Sequence, residues 1–138
     1  MSEELLKEPT IVDGIEAAIV AGLKLIELPL KHIFTPGLYQ RIIYIPAGTA
    51  LTSKVHKYEH PFVISKGKII VINELTNERE IFEAPYHGIT KPGTRRALYA
   101  VTDTIWATFH VTDMTDHEKI IEEFTDAPNN PLIKTLCQ

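Results

Sequence analysis

Lys54, His56, Tyr58 and His60 stand at alternate positions in the stretch PAGTALTSKVHKYEHPFVISKG, from Pro46 to Gly67. Alternate residues of an extended strand share a face, so an ammonium, two imidazoles and a phenol are brought to one side. Two chemistries compete for such a set. A first-row metal needs three or four neutral imidazoles or carboxylates converging on one point, for which His56 and His60 would recruit Glu59 or His110. An anion needs the cations beside them: Lys54, with Arg95 and Arg96 from KPGTRRALYA, whose guanidiniums pair bidentately with carboxylate or phosphate. Tyr58, Tyr99 and Trp106 add ring surfaces, and His110 follows Trp106 on the same phase of IWATFHV.

Charge decides between the two. Arginine does not coordinate, and a unit charge 4 Å from a cation is worth about 4 kcal/mol even at an effective dielectric of ~20. The expected site is therefore an anion pocket built from Lys54, His56, Tyr58, His60, Arg95, Arg96, Tyr99, Trp106 and His110, with no cofactor. A divalent transition metal on His56 and His60 is the runner-up. In a third reading Arg95 and Arg96 lie at the solvent end of their strand and pair with surface carboxylates such as Glu59. His32, alternating with Leu30 and Phe34, is expected at the core or an oligomer contact, His87 at a turn, and His117 in solvent.

The elements that must position these groups are short. Between Leu28 and Val111 apolar runs alternate with turn chemistry at TPG, PAG, KG, TNE and KPG. Strands are expected at Leu28–Phe34, Tyr39–Ile45, Ala50–His56, Phe62–Ser65, Lys68–Glu74, Glu80–Glu83, Gly88–Lys91, Arg96–Thr102 and Ile105–Val111, with INELTNEREIF as a hairpin. Along the last strand Ile105, Ala107, Phe109 and Val111 read as the packed face. A helix opens the domain from Asp13, its expected N-cap, with Ile15, Ala18, Ile19, Leu23 and Ile26 inward. A second helix closes it at TDHEKIIEEFTDA, capped by Thr115 or Asp116. One domain over 13–126 follows, with tails at 1–12 and 127–138.

The frame of the central stretch resembles the first cupin motif, in which Gly, His, His, Glu and Gly recur at fixed spacing. Gly48, Lys54, His56, His60 and Gly67 keep that spacing, with Lys54 at the place of the first metal-binding His and His60 at the place of the Glu. Pro92 and Gly93 keep the turn of the second motif, and Arg96 falls at its His position. The resemblance spans about Tyr39 to Val111. It implies an all-β, cupin-type jelly-roll β-barrel carrying the two helices, whose lumen holds one small ligand among filling side chains. FTPGLYQRIIYIPAGT with KPGTRRALYA is also similar to small cupin-like proteins of phages and bacteria. That resemblance implies, for a phage-encoded chain, a binder that sequesters a nucleotide signal.

Composition bounds the remainder. The chain has 138 residues and a net charge of -4. That balance argues against coating duplex nucleic acid. No stretch of 18 apolar residues is present, the start MSEELLKEPT lacks a signal-peptide core, and the one cysteine, Cys137, has no partner. A cytoplasmic protein is expected, with no membrane contact and at least a homodimer to cover its strand edges. No Ser/His/Asp order and no phosphate-binding glycine loop occurs. Besides the small-molecule binder, two classes stay open: a cupin enzyme (isomerase, lyase, hydrolase or metal-dependent oxygenase) using His56 and His60, and an assembly scaffold.

Overall fold

A computed structural model describes residues 10–22 and 27–126. Helix α1 (Ile11–Gly22) precedes strands β1 (Leu30–Thr35), β2 (Leu38–Ile45), β3 (Ala50–Thr52), β4 (Val55–His56), β5 (His60–Lys66), β6 (Lys68–Asn73), β7 (Arg79–Glu83), β8 (Tyr86–Thr90), β9 (Arg96–Ala100) and β10 (Thr104–Val111). Helix α2 (His117–Phe124) and the two-residue strand β11 (Thr125–Asp126) follow. The strands form two antiparallel sheets, ordered β1-β2-β10-β5-β8 and β3-β9-β6-β7, and a small ladder of β11 on β4. The architecture is the expected all-β jelly roll.

The core forms where inward phases of the two sheets meet. Ile43 and Ile45 of β2, Phe62 and Ile64 of β5 and Trp106 of β10 face Leu51, Ile69, Val71 and Ala100 from the second sheet. Burying such side chains stabilises the fold by roughly 1.5–3 kcal/mol each. Gly67, at the bend where the chain leaves one sheet for the other, has φ of 96°, and a Cβ there would lie 2.3 Å from the Asp103 carbonyl oxygen. Gly88 leaves the space in which the Phe62 ring lies, since its Cβ would come within 2.5 Å of that ring.

Four local expectations need correction. The N-cap of α1 is Thr10: its hydroxyl accepts from the Asp13 N–H, and Asp13 Oδ2 accepts from the Thr10 N–H, both at 3.0 Å. Asp13 is thus the third helical residue of a reciprocal cap. The buried face of α1 carries Val12, Asp13 and Glu16, while Ala18 is exposed, because the helix docks through charge rather than through an apolar stripe. Leu23 and Ile26, like Cys137 and the 127–138 tail, lie outside the described residues. The expected strand Ala50–His56 is interrupted at Ser53 and Lys54, so β4 can leave β3 and pair with β11. In β10 it is the Trp106, Thr108 and His110 phase that faces the lumen, and Val111 is 84% exposed.

α2 is capped as expected by Asp116, which accepts from the N–H groups of Glu118 and Lys119. Its buried residue is Ile120. The Phe124 carbonyl accepts from Lys57 N at 2.8 Å, and Thr125 and Asp126 pair with His56 and Val55. The helix is thereby laid across one mouth of the barrel.

Candidate functional site

Inward phases of several strands converge under α2 on a cavity of about 90 Å³. β2 contributes Tyr39, Arg41 and Ile43; Lys54 and His56 come from the segment around β4, and His60 from the start of β5. Thr90, Arg96, Leu98, Trp106, Thr108 and His110 complete the wall, and Ile120, Ile121 and Phe124 form the roof. Six of the nine expected residues therefore share one cavity: Lys54, His56, His60, Arg96, Trp106 and His110.

The other three lie elsewhere. Arg95 is 1% exposed and points away from the cavity wall into a buried ion cluster. It binds Asp13 Oδ1 at 2.5 Å, Glu74 Oε2 at 2.9 Å and the Glu16 carboxylate, which also accepts from Thr52. Burial works against the Asp13 carboxylate, but the Thr10 N–H and the Arg95 guanidinium outweigh it and hold its pKa below the ordinary value. Arg95 thus clamps α1 to the second sheet. Tyr58 is 51% exposed because the chain bends between β4 and β5, and its ring meets the edge of Phe124 at 5.2 Å. Tyr99 is 45% exposed on the outer face of β9, one residue out of phase with Leu98. The surface-pairing reading for the two arginines also fails: Glu59 pairs with Lys91 at 2.9 Å.

Sequence reasoning missed Arg41. It lies between Tyr39 and Ile43 on the inward phase of β2, and a charge on an otherwise apolar phase was the available signal. Its Nε is buried with no hydrogen-bond partner, and among the described residues no carboxylate lies within ion-pair distance of it. Burial lowers its pKa. The roof residues were also missed, since nothing local in α2 announces which mouth it covers.

Arg96 is 8% exposed, donates to Thr90 Oγ1 at 2.8 Å and lies over the rings of Phe62, at 5.0 Å, and Trp106, at 5.8 Å. Burial lowers its pKa to about 10, partly offset by Glu80 and Tyr86. It stays a cation at neutral pH. It also borders a second cavity, of about 200 Å³, lined by Phe62, Phe82, Tyr86, Glu78 and Glu80.

The three imidazoles are contiguous: His60 lies 4.8 Å from His56 and 4.4 Å from His110 between ring centroids. Burial, then His60, Arg96 and His110, lowers the His56 pKa to about 3. Burial, then His60 and Arg41, does the same to His110. His60 is lowered by burial and by Arg96, against the Tyr58 carbonyl, which accepts from its Nδ1 at 3.1 Å. With Nδ1 protonated, the neutral His60 ring presents a lone pair at Nε2, and that atom is buried without a partner. Outside the cavity, His32 Nδ1 bonds the Tyr39 hydroxyl at 2.6 Å, and His117, expected in solvent, stacks on His32 at 4.2 Å. His87 is exposed on β8 rather than in a turn.

The residues present do not fit a metal ion. Among the described residues no group of three His, Cys, Asp or Glu side chains is arranged to hold one. Glu59 faces solvent, and Arg41, Arg96 and Lys54 surround the imidazoles with positive charge.

No protein-family profile and no curated protein sequence matches the chain. Solved structures do. Ectoine synthase from P. lautus superposes with a TM-score of 0.59 at 13% identity, over 75% of this chain and 78% of that one. The cupin domain of Cnp3 from Schizosaccharomyces pombe gives 0.54 at 19% identity, over 78% and 75%. Acetylacetone dioxygenase from Acinetobacter johnsonii gives 0.50 at 13% identity, over 61% of this chain and only 59% of that enzyme. The fold is the cupin barrel, and at these identities the likeness concerns fold alone.

Proposed function

We propose that the protein binds a small anionic molecule, carrying a phosphate or carboxylate, in the barrel cavity beneath α2. One observation carries the reading: Arg41, Arg96 and Lys54 line the cavity with three imidazoles, and no carboxylate of the described residues does. A buried guanidinium without a counter-charge is costly, and such a state persists where a ligand supplies the missing charge. A nucleotide enters this reading through its phosphate. For a phage-encoded chain, sequestration of a nucleotide signal through its phosphate is the corresponding biological role, and a homodimer is the proposed assembly.

The test is a thermal-shift screen of the purified protein against inorganic anions, organic acids, sugar phosphates and nucleotides. A ligand that binds the folded state raises the melting midpoint by mass action. At least one class of anion is expected to do so, with the shift abolished in Arg96→Gln. A screen in which no anion raises the midpoint, or in which the shift survives Arg96→Gln, would overturn the reading.

A further inference from the structure

We propose that the ligand is a compact dianion held between Arg41 and Arg96, one guanidinium from each sheet. The proposal rests on the anion-binding reading above and narrows it.

Charge sets the valence. Arg41 lies on β2 of the five-stranded sheet and Arg96 on β9 of the four-stranded sheet, and both line the cavity. Among the described residues neither has a carboxylate within ion-pair distance. Glu80, the acid that Arg96 feels, is an exposed residue bordering the other cavity. Lys54 and Arg41 are both half-buried, but the Arg41 Nε is fully buried without a partner, and no Lys54 atom is. Arg96 is buried and the half-buried Arg41 has an unpartnered Nε, so two guanidiniums await neutralisation, and a monoanion would leave one of them unpaired.

Volume sets the size. An enclosed space of ~150 Å³ holds one benzene, so the roughly 90 Å³ here, which is partly open to solvent, admits an ion no larger than about that ring with the walls as they stand. α2 closes one side with Ile120, Ile121 and Phe124, and Arg96 and Trp106 belong to the wall. A whole nucleotide does not fit inside. Two sources share the required chemistry, a tetrahedral oxyanion such as phosphate or its smallest esters, and a short dicarboxylate.

His60 gives the ligand a third handle. Its buried Nε2 carries a lone pair while the ring is neutral, so it pairs with an acidic hydroxyl on the ligand or takes a proton from water as the dianion enters.

Isothermal titration of the full-length protein with sulfate, inorganic phosphate and malonate, against acetate and nitrate, tests the proposal. The dianions are expected to bind at least about tenfold more tightly than the monoanions, about 1.4 kcal/mol. Arg41→Gln and Arg96→Gln, each checked for cooperative unfolding, should remove that preference, and Lys91→Gln, an exposed cation outside the cavity, should retain it. Phosphate and sulfate ahead of malonate assigns the oxyanion, and the reverse order assigns the dicarboxylate. Equal binding of monoanions would sink the dianion while leaving the anion pocket standing. Failure of every anion, large ones included, would sink both, and binding of nucleotides without binding of any compact dianion would sink the size limit.

Discussion

The Arg96 guanidinium lies 5.0 Å from the centre of the Phe62 ring, on the side of the barrel where Thr90 accepts its hydrogen bond. The aromatic face and the hydroxyl hold the cation in place without neutralising it, so its charge remains available to the cavity. Lysine in its place keeps the charge but loses the planar stacking and the fork. Arg96→Lys is expected to retain the fold and weaken anion binding by about tenfold or more, read by titration calorimetry.

Arg41 supplies a prediction of opposite sign for stability. Removing a half-buried guanidinium whose Nε is buried without a partner relieves desolvation, so Arg41→Met should stabilise the unliganded protein by about 1 kcal/mol while abolishing anion binding. Urea unfolding with and without ligand measures both. A destabilised, binding-competent variant would contradict the role assigned to this side chain.

The three imidazoles make stability depend on pH. Their folded pKa values lie below the free value of 6.5, at about 3 for His56 and His110. The unfolded chain then binds more protons than the folded one between those limits, so stability is complete above about 6.5 and falls as pH drops towards about 3. Each imidazole contributes a slope of up to ~1.4 kcal/mol per pH unit. His56→Asn and His110→Gln should each flatten the acid limb of a denaturation series. A bound anion should raise these pKa values, so the complex should tolerate acid better than the free protein.

Arg95 behaves differently from Arg96 despite being its neighbour. Arg95→Met removes the guanidinium shared by Asp13, Glu16 and Glu74 and should cost about 3–5 kcal/mol. Any variant that still folds should keep the dianion preference. Loss of that preference at full stability would mean that Arg95 reaches the ligand.

Assembly is tested by light scattering at micromolar concentration. The five-stranded sheet ends on β1 and β8, whose outer edges pair with no other strand among the described residues and favour a second copy. A dimer is expected, and a strictly monomeric protein would rule it out.

Strand positions were readable because turn residues and period-two alternation are local properties: the TPG hairpin and the INELTNEREIF hairpin both fall where those signals put them. Six pocket residues followed from the same alternation. Arg95 and Arg96 show its limit. Adjacent residues of one strand face opposite ways, but which way each faces depends on partners up to 82 positions distant, such as Asp13. Tyr58 was misplaced because alternation fails at the bend after β4. The roof needed α2 to be placed against β4, a tertiary contact that helical periodicity does not encode.

That roof is fastened lightly. Two ladder pairs join β11 to β4, and the ion pair beside them, Lys57 with Asp126 at 3.4 Å, stands largely in solvent. Among the described residues, opening the cavity must break this seam, the Lys57–Phe124 hydrogen bond and the packing of buried Ile120, none of which involves the cavity's guanidiniums. Ligand exchange should consequently be timed by separation of β11 from β4, so that weakening this seam, as in Asp126→Ala, would hasten both arrival and departure while leaving the equilibrium between them nearly untouched.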